Sequence, residues 1–258
     1  MFKNRLIKNL VMLYLIGLGL SWKDLSLKAL EILNKCDEIY IENYTSVADF
    51  TIEQLSRLLG KKVISLDRKK TEEEMPFLKN AHIKEIALLT FGDALSATTH
   101  FEILQIAKKK KFETKVIHAP SIFTAVAETG LSLYRFGKTA SIPIPEKDFA
   151  PESFFDTLVE NLSTSAHTLF LLDLKPHEKR FLTIPEAIDI LLDINNKRKS
   201  KLFTEKTFCI GCARLGSDNQ IIKAGTTSEL HDADFGNPPF CLIVPAKLSH
   251  KEEEYVKR

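Results

Sequence analysis

The stretch MLYLIGLGL, residues 12–20, is a continuous apolar run that breaks on two glycines. A strand that is apolar on both sides belongs in a parallel sheet covered by helices on each face. The stretch therefore reads as a buried parallel strand running into a glycine turn. Before it, Lys3, Arg5 and Lys8 precede an apolar run from Leu10 to Leu20, the pattern of a secretory signal, but no small-residue cleavage site follows. The run is also shorter than the roughly 18 residues of a membrane span. Residues 1–11 read as an extension with Met12 as a candidate start, and the expectation is a cytoplasmic protein that does not bind membranes.

Downstream, apolar runs alternate with helical patterns. A helix over Leu25 to Lys35 leads to EIYIE. An amphipathic stretch ending at the C-cap glycine Gly60 leads to KVISL. A polar helix around residues 71–82 leads to EIALLT, and a helix over Ala97 to Lys110 leads to TKVIH. This is the βαβ rhythm of a parallel sheet. After Pro120 a helix over Ile122 to Leu133 is followed by TASIPI, a helix from Glu152, HTLFLLDL, and a helix announced by Thr183, Pro185 and Glu186. That trio is a capping box with proline in the first turn. KTFCIGCA, NQIIKAG and PFCLIVPA, with turn signals between them, read as antiparallel strands. The fold class expected is α/β, with two α/β domains over residues 12–120 and 121–258.

With 258 residues and 44% hydrophobic content, the chain has enough apolar mass for either one or two cores. Thirty-six Lys and Arg against thirty-four Asp and Glu give a formal charge of +2, with no basic block, so no nucleic-acid partner is expected. Cys209 and Cys212 form a CxxC, a pattern shared by redox pairs and half zinc sites. They fall in the apolar run FCIGCA, where side chains three apart lie on opposite faces of a strand. They read as buried strand cysteines in a reducing compartment, and no metal site is assigned.

Ligands of open parallel sheets bind beyond the carboxyl ends of the strands, and four places stand out there. GLGL, residues 17–20, lets backbone approach a ligand or simply turns from strand to helix, with Asp24 and Ser26 as candidate caps. FGDALSATTH, residues 91–100, presents Asp93 either to a ligand or as an N-cap, and His100 reads as packed or capping. HAPSIFTAVAETGL, from His118, offers the hydroxyl and amide of Ser121. In LLDLK, Asp173 either serves a site or caps a loop. No GxSxG, HExxH or P-loop spacing occurs.

Taken in order, MLYLIGLGL, IENYTS, GDALSATTH, HAPSI, ETGLSLYRFGKT, HTLFLLDLK, ARLGS and DFGNPP resemble the diphthine synthase family over nearly the whole chain from Met12. The resemblance implies a tetrapyrrole-methylase type of fold, with two α/β domains, the active site in the cleft between them, and a homodimer. It implies S-adenosylmethionine as cofactor, S-adenosylhomocysteine as product, and methyl transfer to a 3-amino-3-carboxypropyl-histidine of translation elongation factor 2, giving diphthine on the way to diphthamide. Carried over position by position, it places cofactor contacts on Leu20, Asp93, Ser96, Ser121, Ile122, Leu172, Leu215 and Phe240.

The chain departs from the family pattern in three positions. Ala94 replaces a proline, Ser96 replaces a small apolar residue, and Phe240 stands where a cofactor-contacting histidine is common and cannot hydrogen-bond through a ring nitrogen. The loop at Ala94 is expected to be less rigid. An α-amino-like acceptor with pKa about 8 is neutral in roughly one molecule in ten at pH 7, and positioning supplies about 7 to 11 kcal/mol in well-oriented systems, so no catalytic residue is assigned. The short link from Lys175 to Thr183, as in archaeal members, favours three methyl groups. Two rival readings stay open: a tetrapyrrole or corrin methyltransferase, although those typically carry GxGPGD where this chain has GLGLSWKD, and a non-catalytic protein that binds elongation factor 2.

Overall fold

The computed structural model describes residues 11–47, 50–147 and 150–256. Apart from Val11, the expected extension lies outside the described residues. The chain divides into two compact units between Ser121 and Ile122.

The first unit carries β1 (Met12–Gly17), α1 (Leu27–Leu33), β2 (Glu38–Glu42), α2 (Ile52–Leu59), β3 (Val63–Leu66), β4 (Ile86–Thr90), α3 (Phe101–Lys109) and β5 (Glu113–Ile117). Its sheet has the order β3-β2-β4-β1-β5 and every pairing is parallel. The pleat sorts the apolar side chains onto two faces. Ile16, Ile39, Ile41, Ala87 and Leu89 pack with Ala29 and Leu33 of α1 and Leu55 and Leu59 of α2. Leu13, Leu15, Ile86 and Leu88 pack on the other side with Ile103 and Ala107 of α3. Strands buried on both faces explain the unbroken apolar runs in the sequence.

Two helices expected here are shorter or broken. In place of a helix over residues 71–82 there is a π-helical turn, Lys70–Glu74, and a 3-10 turn, Pro76–Leu78, hinged at Met75 with φ 42°. Pro76 is the cause, because its ring bars the preceding residue from the right-handed helical region and removes a donor. The helix expected from Ala97 begins at Phe101, and Ala97 itself has φ 56°.

The second unit carries α4 (Ile122–Ala125), β6 (Ala140–Ile142), α5 (Ser153–Ser163), β7 (Thr168–Leu172), β8 (Leu174–Lys175), β9 (Arg180–Phe181), α6 (Ile184–Lys197), β10 (Phe208–Ala213), β11 (Ile221–Thr226), α7 (Thr227–His231), β12 (Phe240–Val244) and α8 (His250–Val256). Its main sheet runs β11-β10-β12-β7-β6, antiparallel except for β6 with β7. Phe154, Phe155 and Leu158 of α5 and Ala187, Ile188 and Leu191 of α6 cover one face, while Val126 and Leu131 pack on the other. Cys209 falls in the first cluster and Cys212 in the second, opposite Cys241 across the β10–β12 pair.

The helix expected over Ile122 to Leu133 stops after one turn and continues as a 3-10 turn, Val126–Thr129, which Gly130 ends at φ 85°. The capping box at Thr183 and Glu186 closes as expected, with the threonine hydroxyl accepting from Glu186 N–H and the carboxylate accepting from Thr183 N–H. The helices α7 and α8 were not anticipated. Both start on the same T/S-x-x-E signal, Thr226 with Glu229 and Ser249 with Glu252.

Candidate active site

Strand order fixes where the first unit can hold a ligand. The connection after β1 crosses β4 to reach β2, whereas the connection after β4 crosses β1 to reach β5. The neighbours β1 and β4 thus send their chains in opposite directions and onto opposite faces, and the carboxyl ends at such a switch point are where open parallel sheets bind their ligands. GLGL and FGDALS are the two loops that leave this point.

Those loops are joined through the main chain. Leu18 N–H donates to Thr90 O at 2.9 Å, Gly19 N–H to Gly92 O at 3.1 Å, and Gly92 N–H back to Gly19 O at 2.8 Å. So close an approach needs glycine. A Cβ on Gly17 would stand 2.6 Å from Gly92 O, and one on Gly19, where φ is 82°, would stand 2.2 Å from Asp24 Cβ. Asp24 Oδ2 accepts from the N–H groups of Leu20 and Ser21 at 2.9 and 3.0 Å, which sets the turn into the 3-10 helix Trp22–Asp24. Ser26 caps α1 through Ala29 N–H at 3.1 Å. Asp24 and Ser26 therefore both act as caps.

Asp93 is 6% exposed and does not cap α3. Its Oδ1 accepts from Leu95 N–H at 3.0 Å and Ser96 Oγ at 3.2 Å. Its Oδ2 accepts from Ala119 N–H at 3.1 Å and lies 2.8 Å from His118 Nδ1. Burial disfavours the charge, yet the two N–H groups and His118 together hold the carboxyl below its ordinary range. One side chain thus binds the loop after β4 to the loop after β5. Ser96 enters through the same carboxylate, and Ser121, buried at 5%, follows on the β5 loop. His118 is the member that sequence reasoning left without a role; its pairing with Asp93 spans 25 positions and had no local signal.

Beside this set, Glu42 at the end of β2 is fully buried and accepts from Tyr44 N–H, Thr45 N–H and the Thr45 hydroxyl. Burial outweighs those bonds and raises its pKa. His100 stands just before α3 and is 1% exposed, and no hydrogen-bond partner reaches its ring. It is a packed histidine, as burial lowers its pKa and keeps it neutral.

In the second unit, β7 ends at Leu172 and the antiparallel partner β12 begins at Phe240, one step beyond the Cys241–Leu171 pair. Ala213, paired with Phe240, ends β10 two residues before Leu215. These three candidates therefore gather at one end of the neighbouring strands β7, β12 and β10. Leu172 and Phe240 pack in the cluster under α5 and α6, and Leu215 in the cluster that Ile122 also borders. Phe240 is half-buried, with its ring against core residues. Asp173 caps a loop, accepting from Ile144 N–H at 3.1 Å and Leu174 N–H at 2.9 Å.

The chain carries a doubly covered parallel sheet with paired glycine turns at its switch point, followed by a second, mixed sheet, and the profile of the Tetrapyrrole (Corrin/Porphyrin) Methylases matches residues 12–231. The chain is 42% identical over 251 residues to diphthine synthase of Methanocaldococcus jannaschii, covering 95% of this chain and 98% of that protein. A crystal structure of diphthine synthase superposes with a TM-score of 0.85 at 35% identity, covering 95% and 94% of the two chains. A crystal structure from Entamoeba histolytica, provisionally assigned as diphthine synthase, reaches a TM-score of 0.88 at 35% identity over 96% and 97%. The chain is an S-adenosylmethionine-dependent methyltransferase of the tetrapyrrole methylase class. Within that class it belongs to the diphthine synthase family.

Proposed function

We propose that this methyltransferase acts on the amine of a 3-amino-3-carboxypropyl group borne by a histidine of translation elongation factor 2, and that diphthine is the product. The observation that carries the reading is the switch point with its paired glycine loops, in a chain that matches diphthine synthases along almost its whole length. S-adenosylmethionine supplies an electrophilic sulfonium methyl group, and the acceptor amine supplies the lone pair.

The residues present fit such a cofactor. Gly92 adopts φ 66° with nothing crowding the place of a Cβ. The hydroxyl of Thr90 is buried without a hydrogen-bond partner at the end of β4. Leu20, Asp93, Ser96 and Ser121 of the first unit, and Ile122, Leu172, Leu215 and Phe240 of the second, are the proposed contacts. Asp93 already accepts four bonds from the protein, so its part is to hold the loops in place for the cofactor. Phe240 and Leu172 offer main-chain groups, since their side chains pack into the core.

The protein partner is elongation factor 2, the working assembly is a homodimer in the cytoplasm, and three methyl groups are transferred. No helix among the described residues is long and apolar enough to cross a membrane. Mass spectrometry of elongation factor 2 carrying the unmethylated precursor, after incubation with this protein and S-adenosylmethionine, tests the reading. Successive methyl additions at the modified histidine are expected. An unaltered factor beside a methylated corrin or porphyrin would assign the acceptor to the rival class.

A further inference from the structure

The loop after β5 carries an imidazole that the cofactor contacts leave unused. The His118 side chain is 71% exposed, yet its Nδ1 lies 2.8 Å from Oδ2 of Asp93, whose side chain is 8% exposed. Asp93 is locked from three other directions by Leu95 N–H, Ser96 Oγ and Ala119 N–H. An ionised carboxylate only accepts hydrogen bonds, so Nδ1 of His118 carries the proton. The neutral ring keeps its lone pair on Nε2, on the side away from Asp93. A buried carboxylate placed in this way fixes the tautomer and orientation of an imidazole and stabilises the imidazolium once it forms.

We propose that His118, oriented by Asp93, is the proton acceptor for the amine that receives the methyl group. The proposal rests on the methyl-transfer reading above. An α-amino-like group with pKa about 8 arrives mostly as ammonium at neutral pH and cannot attack until it loses a proton. His118 Nε2 takes that proton. The freed lone pair forms the new nitrogen–carbon bond, the methyl carbon–sulfur bond breaks, and its electron pair returns to sulfur, leaving a thioether. The nitrogen is then a methylammonium, which must lose another proton before a second transfer. Each round delivers one proton to His118, and the exposed ring passes it to solvent. The charged group set against the ring is Asp93, from the loop between β4 and α3; on β5 itself the charged residues are Glu113 and Lys115, earlier in the strand.

His118→Asn separates this role from that of a mere strap. An asparagine amide N–H stands close to where Nδ1–H stands, so the bond to Asp93 survives while the titratable nitrogen is gone. Methyl transfer to precursor-bearing elongation factor 2 is followed from about pH 5 to 9, across the histidine range, with S-adenosylmethionine affinity measured by calorimetry. The Asn variant is expected to bind S-adenosylmethionine within about twofold of wild type and to lose about tenfold in rate at neutral pH, where about one amine in ten is neutral without a base. The acid limb of its profile is expected to move up toward the amine's own value of about 8. Added imidazole is expected to restore part of the rate to His118→Ala, which reads out the missing base even if that variant is less stable. An Asn variant with the wild-type rate and profile would overturn the proposal, and so would one whose S-adenosylmethionine affinity collapses. Wild-type protein that binds S-adenosylmethionine but leaves elongation factor 2 unmethylated overturns the underlying reading and this proposal with it.

Discussion

Gly19 and Gly92 hold each other by two main-chain hydrogen bonds, one in each direction, at 3.1 and 2.8 Å. The turn after the first strand and the turn after the fourth are therefore a single object, and a perturbation of either moves both.

Gly19→Ala tests that coupling. A left-handed alanine costs about 1 to 2 kcal/mol, and the added methyl would also meet the Asp24 side chain that caps the turn. Thermal unfolding is expected to show that loss, and calorimetry a fall in S-adenosylmethionine affinity of at least about tenfold, equivalent to about 1.4 kcal/mol. A destabilised variant with unchanged affinity would detach this turn from the cofactor.

Asp93→Ala strips a partner from the N–H groups of Leu95 and Ala119 together. A buried donor left unsatisfied costs about 1 to 3 kcal/mol. Stability is therefore expected to fall along with S-adenosylmethionine affinity, and Asp93→Asn to fall less in both. An alanine variant as stable as wild type would contradict the bonding described.

Phe240→His is expected to lower the melting temperature and leave S-adenosylmethionine affinity unchanged, because the ring packs against the cluster under α5 and α6. Tighter binding would mean that the side chain at this position faces the cofactor instead.

Glu252 gives the second unit a pH dependence with a definite sign. Burial opposes its charge, but the N–H groups of Ser249 and Ser132, then His167 and the Ser249 hydroxyl, bring its pKa to about 2 from an ordinary 4.5. A pKa lowered by folding means stability that is complete above about pH 4.5 and lost as the pH falls toward about 2, amounting to about 3 kcal/mol. Glu252→Gln is expected to be less stable than wild type at neutral pH, with the gap closing through that window in denaturant titrations. A gap that stays constant with pH would show that the carboxylate charge contributes nothing.

The first sheet was legible because its strands are buried on both faces and so announce themselves as unbroken apolar runs such as MLYLIG and EIALLT. The strand-end rule also singled out the loop that carries Asp93. What it missed is the use of that carboxylate, because the partners His118 and Ala119 come from another strand and only the closed sheet brings them near. The helix expected over residues 71–82 failed for a local reason, the proline at 76, whose effect on Met75 outweighed the polar helical pattern. The loop at Ala94, expected to be loose for want of a proline, is instead held by hydrogen bonds to Asp93 and Gly92.

The strand orders of the two units differ in when they become available. All five strands of the first sheet have appeared by Ile117, whereas in the second sheet β12, residues Phe240 to Val244, lies between β10 and β7. Domains fold as units while the chain is made from its amino end. On the ribosome the first unit can close while its partner is still being translated, but the second has a gap at its centre until residues 240–244 have been made. Premature termination between residues 213 and 240 leaves β10 and β7 with open inner edges, the kind of unpaired strand that recruits other chains.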